Sequence, residues 1–168
     1  GPKFKNRKKS YSLTQSIQFS NGTITAAADF SGGKPLFKLS KGVTILLDKT
    51  SSIDVSAASS SNCSAAIGIY DGSTFNQEGD ITAPSNGTGV AIYLDSSSDT
   101  YNYVSGTTLG TISNPNGGTI NGLETDPEAY AVLSTDKTSL TFYYDTNKGE
   151  REGTVYTDVN NMYDNKWY

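Results

Sequence analysis

Gly42-Val43-Thr44-Ile45-Leu46-Leu47-Asp48 decides how this chain is read, together with its two echoes, Ala65-Ala66-Ile67-Gly68-Ile69-Tyr70-Asp71 and Gly89-Val90-Ala91-Ile92-Tyr93-Leu94-Asp95. Each is a short apolar run closed by an aspartate and followed by a Gly/Ser/Thr-rich stretch. The closing aspartates, Asp48, Asp71 and Asp95, recur at nearly equal intervals. A recurrence of that length reads as one coil of a parallel β-solenoid, in which each unit buries its apolar side only against its neighbours. Such a shape is a rod or plate with repetitive outer faces. A β-sandwich or jelly roll, with the same phrases as ordinary core strands, is the alternative.

Working outward, Ile-centred segments recur at Gly22-Thr23-Ile24-Thr25, Ser52-Ile53-Asp54-Val55, Gly79-Asp80-Ile81-Thr82, Gly110-Thr111-Ile112-Ser113 and Gly118-Thr119-Ile120-Asn121. One inward Ile between outward polar residues suits a three-residue solenoid strand. The intervals from Ile24 to Ile53, Ile81 and Ile112 are similar but unequal, and the step from Ile112 to Ile120 is far shorter. Coils of unequal length are therefore expected. Nearer the start, Tyr11, Leu13, Ile17 and Phe19 share parity, which predicts a half-buried strand over 11–19. No segment has a 3.6-residue apolar period, and the Gly, Ser and Thr density opposes long helices. A short helical turn is expected only at Asp126-Pro127-Glu128, with Asp126 as its cap.

Three regions follow. Residues 1–10 form a basic leader, read as solvated and flexible, with Gly1-Pro2 as a protease scar of expression. Residues 11–122 carry the solenoid. Residues 123–168 hold six of the 11 tyrosines and the single Trp, a shift in composition that marks an antiparallel annex. Its strands are expected at Tyr130-Ala131-Val132-Leu133, Leu140-Thr141-Phe142-Tyr143-Tyr144 and Thr154-Val155-Tyr156.

Composition narrows the chemistry. There is no His, which removes the commonest general base and the commonest zinc ligand. Cys63 is alone and cannot form an intramolecular disulfide. It has no basic neighbour in Ser59-Ser60-Ser61-Asn62-Cys63-Ser64-Ala65 and reads as a bystander thiol. Five of the 13 basic residues fall before position 10, so eight face all 17 acidic ones beyond it, a balance of −9. An acidic body repels phosphate backbones, and nucleic acid is not an expected partner. No apolar stretch has membrane length, so membrane insertion by this chain is not expected either. No cofactor is implied.

Two segments resemble known families. Residues 66–98, with Gly68-Ile69-Tyr70, Ser73-Thr74, Asn76 and Gly79-Asp80-Ile81, resemble the passenger repeats of bacterial autotransporter adhesins. That resemblance implies a right-handed parallel β-helix displayed on a bacterial surface. Residues 128–156, with Ala129 to Val132, Leu140 to Asp145, Lys148, Arg151, Gly153 and Tyr156, resemble a segment of BspA-like surface proteins. Neither resemblance supplies catalytic residues. Both imply an extracellular, surface-exposed and non-enzymatic module.

The candidate sites are few. Stacked on successive coils, Asp48, Asp71 and Asp95 could form a calcium ladder of oxygen ligands. Their simpler reading is turns that cap strand ends, because no Asp-x-Asp-x-Gly spacing accompanies them. The pairs Asp48 with Asp71, or Asp71 with Asp95, could in principle run glycoside hydrolysis. Exposed aromatics beside Asn and Asp make a carbohydrate platform, and Tyr101, Tyr103, Tyr163, Trp167 and Tyr168 are the residues of that kind. Tyr143, Trp167 and Tyr168 could instead cover an open end of the solenoid. The expected function is a non-catalytic adhesin or display module meeting a glycan or host surface protein. A phage or appendage fibre module and a polysaccharide-acting enzyme are the alternatives.

Overall fold

A computed structural model describes residues 2–123, 128–133, 135–136, 140–146 and 149–156, with side chains for 3–123 and 135–136. The first coil holds β1 (Tyr11–Leu13), β2 (Ile17–Phe19) and β3 (Gly22–Thr25). The second holds β4 (Phe37–Leu39), β5 (Thr44–Leu47) and β6 (Ser51–Asp54). The third holds β7 (Ile67–Ile69), β8 (Thr74–Gln77) and β9 (Asp80–Thr82). The fourth holds β10 (Val90–Leu94), β11 (Thr100–Tyr103) and β12 (Thr108–Leu109), and β13 (Thr111–Ser113) and β14 (Thr119–Asn121) open a fifth. Each strand pairs in parallel with its equivalent one coil away. Three sheets result: sheet 1 is β1-β4-β7-β10-β13, sheet 2 is β14-β11-β8-β5-β2 and sheet 3 is β12-β9-β6-β3. The fold is a three-sided parallel β-solenoid of about four turns, and the sandwich alternative falls with the antiparallel pairing it requires.

The winding is set by the Ile-centred segments. Ile24, Ile53 and Ile81 are in register in sheet 3, so one full coil separates each from the next. The opening phrases do not share one side of the coil. Ile45 lies in sheet 2, while Ile67 and Ile92 lie in sheet 1. The short step between Ile112 and Ile120 passes one corner, from sheet 1 to sheet 2. Likewise, the single strand expected over 11–19 is two strands with a corner between them.

Inward residues stack in columns. Phe37, Ile67 and Ile92 share a level in sheet 1, as do Leu39, Ile69 and Leu94. Ile45, Phe75 and Tyr101 share one in sheet 2. All of these are fully buried. Each such side chain contributes about 1.5–3 kcal/mol relative to exposure. The column extends only by adding coils, which is why segments with so few local contacts still form strands.

The corners between sheets 1 and 2 take left-handed backbone in the second and third coils. Between sheets 1 and 2 the second coil turns at Lys41 (φ 60°) and Gly42 (φ 68°), and the third at Asp71 (φ 56°) and Gly72 (φ 72°). Asp accepts this conformation more readily than most residues.

Within the leader Phe4 and Arg7 pack against the first coil, while Lys3, Lys5, Lys8 and Lys9 are exposed. Phe4 meets Tyr11, Phe19 and Phe37 edge to face with centroids 5.3, 5.5 and 5.4 Å away. Arg7 bridges in parallel to Ala26 beyond β3. The Lys3 and Arg7 cations lie over the Tyr11 ring at 4.8 and 5.0 Å. The leader thus covers the Tyr11 and Phe19 rings of the first coil.

Gly1–Gly122 and Leu123–Tyr168 form two compact units. In the second, β15 (Glu128–Leu133), β16 (Leu140–Thr146) and β17 (Gly149–Tyr156) pair antiparallel in that order. Asp126 and Pro127 lie outside the described residues, and Glu128 opens a strand rather than sitting in the helical turn expected there. No helix among the described residues is long and apolar enough to cross a membrane.

Candidate functional site: the outer faces of the solenoid

Tyr101 does not belong to a surface platform. Its side chain is completely buried, and its ring stacks on Phe75 of the neighbouring coil at 6.2 Å and 12°. Its hydroxyl donates to Gln77 Oε1 at 2.6 Å, and burial pushes the phenol well above its ordinary pKa. Gln77 is itself fully buried, and its amide donates to the Gly79 carbonyl at 3.0 Å and to Thr108 Oγ1 at 2.8 Å. Tyr103 has the same inward parity, is half-buried, and donates to the Gly106 carbonyl at 2.7 Å. Strand parity turns both side chains towards the coil interior, which buries Tyr101 fully and Tyr103 in part. Tyr163, Trp167 and Tyr168 lie outside the described residues, and Tyr143 lies in β16.

The three aspartates do not form one ladder. Asp48 follows β5 at the corner between sheets 2 and 3, whereas Asp71 and Asp95 follow β7 and β10 at the corner between sheets 1 and 2. Asp71 and Asp95 are also one position out of step, since Ile69 is level with Leu94. The calcium candidate and the Asp48–Asp71 acid pair both fall on this geometry. Among the described residues no group of three or more acidic, Cys or His side chains is placed to hold a metal.

What each aspartate does is local. Asp48 Oδ1 accepts from the Thr50 amide at 2.8 Å, the pattern of an Asx turn, and from the Thr50 hydroxyl at 2.6 Å. Its Oδ2 accepts from the Ser20 hydroxyl and from Gln18 Nε2 at 3.0 Å, which ties the first coil to the second. The Ser20 and Thr50 hydroxyls hold this carboxyl well below the usual carboxylate range. Asp71 Oδ2 accepts from the Lys41 amide at 3.3 Å, and Asp95 Oδ1 from the Tyr93 hydroxyl at 3.0 Å. A fourth aspartate stands outside the repeated phrases and carries no signal in the sequence. Asp99 is fully buried and accepts from the Gly72 and Ser96 amides at 2.9 and 2.7 Å, closing the next corner.

An aromatic patch does exist, on the outside of sheet 1. The outward column there runs Ser12, Lys38, Gly68, Tyr93 and Ser113. Tyr70, just beyond β7, meets Tyr93 at 5.8 Å and 66°, and Lys38 Nζ lies over the Tyr70 ring at 4.7 Å. Gly68 is required between them, since a Cβ would come within 2.8 Å of the Pro35 ring. The Tyr93 phenol is raised first by its hydrogen bond to Asp95, and that of Tyr70 first by burial. Two half-exposed rings, one ammonium and one carboxylate thus share a surface. The signal is present in the sequence as Ile69-Tyr70-Asp71 and Ile92-Tyr93-Leu94-Asp95, where the aspartates draw attention away from the rings.

Sheet 2 presents a different outer face. Thr44, Thr74, Thr100 and Thr119 are in register on four successive strands. Two positions along, Asn76, Asn102 and Asn121 are also in register, with Leu46 level with Asn76. The amides bond to one another, Asn102 Nδ2 to Asn76 Oδ1 and Asn121 Nδ2 to Asn102 Oδ1, both at 2.8 Å. Searches of protein-family models, of curated proteins and of solved structures returned no match to this chain.

Proposed function

We propose that this chain is a non-catalytic binding and display module of a bacterial cell surface, working within an adhesin and meeting a glycan or host surface protein. The observation that supports this reading most is the sheet 1 patch. Tyr70 and Tyr93 stand on neighbouring coils beside Lys38 and Asp95, on the outer face of sheet 1. Amphipathic rings flanked by a cation and a carboxylate offer stacking area and hydrogen bonds to a sugar ring or to a polar protein surface. The acids weighed for glycoside hydrolysis are instead engaged in turns and coil-to-coil bonds. The resemblances to autotransporter passengers and BspA-like proteins point the same way.

Glycan-array and host-cell binding of the purified chain tests this reading, with Tyr93→Ala and Lys38→Ala as variants. The expected result is saturable binding that either substitution weakens by tenfold or more, with the thermal transition unchanged. Binding that both variants retain in full, or no binding to any glycan or cell tested, contradicts it.

A further inference from the structure

We infer that the outer face of sheet 2 is a second binding surface, built for an ordered water lattice, and that this protein adsorbs to ice. The inference goes beyond the adhesive reading and does not rest on the sheet 1 patch.

The face is a two-column lattice. Thr44, Thr74, Thr100 and Thr119 form the first column, at the parallel-strand spacing of about 4.8 Å. Asn76, Asn102 and Asn121 form the second, about 6.6 Å further along each strand. Among the described residues the four threonine hydroxyls make no side-chain hydrogen bond within the protein. In sheet 3, by contrast, Thr23 Oγ1 and Ser52 Oγ bond at 2.9 Å. The asparagines are pinned by their own ladder, and Thr is stiff at χ1. Little side-chain entropy is therefore lost on binding.

The occupant follows from what the face lacks. No residue of β2, β5, β8, β11 or β14 is charged, whereas sheet 1 carries Lys38 and sheet 3 carries Asp54 and Asp80. An ionic ligand has nothing to pair with there. Tyr101 and Tyr103 point inward, so no ring lies outward for a sugar to stack on. What remains is a rigid, neutral array of hydroxyls, methyls and amides repeating in two directions. Waters that bridge such hydroxyls are held at the same repeat. Those two spacings are near the oxygen repeats of the ice lattice, so the bound layer can merge with a crystal. A non-periodic solute gains nothing from the repetition.

The test is ice-affinity partition of the intact chain, in which ice is grown slowly from dilute protein and the protein is assayed in ice and liquid. The expected result is enrichment in the ice at least tenfold above a non-binding control protein. Thr100→Tyr, which raises a ring in the middle of the lattice, abolishes it, and Lys38→Ala on sheet 1 leaves it unchanged. Should Thr100→Tyr not fold, the exposed pair Thr44→Lys with Thr119→Lys must abolish enrichment instead. Partition no better than the control overturns the inference. So does full enrichment of folded lattice variants, or retention on crystalline chitin or cellulose with none in ice. Glycan or cell binding is measured separately, so failure of one assay leaves the other reading standing.

Discussion

The Tyr101 hydroxyl reaches across one coil to donate to Gln77 Oε1 at 2.6 Å, in a core where both side chains are fully buried. That bond completes the hydrogen bonding of the Gln77 side chain, whose amide is already engaged by Gly79 and Thr108. Tyr101→Phe leaves the ring stacked on Phe75 but strands a buried acceptor. The expected loss is about 1–3 kcal/mol. Urea unfolding with an unchanged slope checks it.

Gly79 stands where two coils nearly touch. A Cβ there would land on the Ser51 carbonyl oxygen, with the Asp48 carbonyl 2.6 Å away. Both neighbours are backbone and cannot rotate aside. Gly79→Ala should cost about 1–3 kcal/mol by overpacking. Gly22→Ala, where nothing lies within 4 Å, is the matched control and should melt near the parent temperature.

Cys63 contributes to the alkaline limb of stability. Burial pushes its thiol from 9.0 up to about 11. The neutral thiol is favoured in the folded chain, so its contribution is intact below pH 9 and lost as pH rises towards 11. A rise of that size corresponds to about 2–3 kcal/mol. Cys63→Ala should flatten the fall in melting temperature between pH 9 and 11. The native thiol should also resist Ellman's reagent until the chain unfolds.

Asp48 contributes to the acid limb. Its folded pKa is depressed by the Ser20 and Thr50 hydroxyls, so the stabilisation is present above the unfolded value of about 3.9 and lost as pH falls below it. Asp48→Asn should therefore lower the melting temperature at pH 6 and matter much less at pH 2. Equal effects at both values would contradict the role assigned to its carboxylate.

Much of the winding is legible in the chain because a three-residue strand needs only one inward apolar side chain. Ile24, Ile53 and Ile81 carry that signal at nearly constant spacing. The more conspicuous phrases ending at Asp48, Asp71 and Asp95 suggest a coil shorter than the one that separates Ile24 from Ile53 in sheet 3. They mix two sides of the coil, since apolar runs serve sheet 1 and sheet 2 alike. Composition cannot tell one side of a solenoid from another; only register can.

The sites are less legible. Tyr101 and Tyr103 follow a polar run and so look exposed, but strand parity turns both inward. Tyr70 and Tyr93 sit in the most hydrophobic phrases and so look buried, yet both lie at or beyond the outward positions of sheet 1. The threonine and asparagine columns are written as Thr74-Phe75-Asn76, Thr100-Tyr101-Asn102 and Thr119-Ile120-Asn121. The interval from Asn102 to Asn121 is shorter than that from Asn76 to Asn102, which hides the repeat. Unequal corners separate strands that the register then aligns.

Parallel, in-register winding is tested most directly by inter-strand NOEs in the isotope-labelled protein. Ile53 should show amide-to-Hα contacts to the neighbours of both Ile24 and Ile81, in the slanted pattern of parallel strands. Close Hα–Hα pairs between β6 and either neighbour would mean antiparallel strands and would contradict the solenoid.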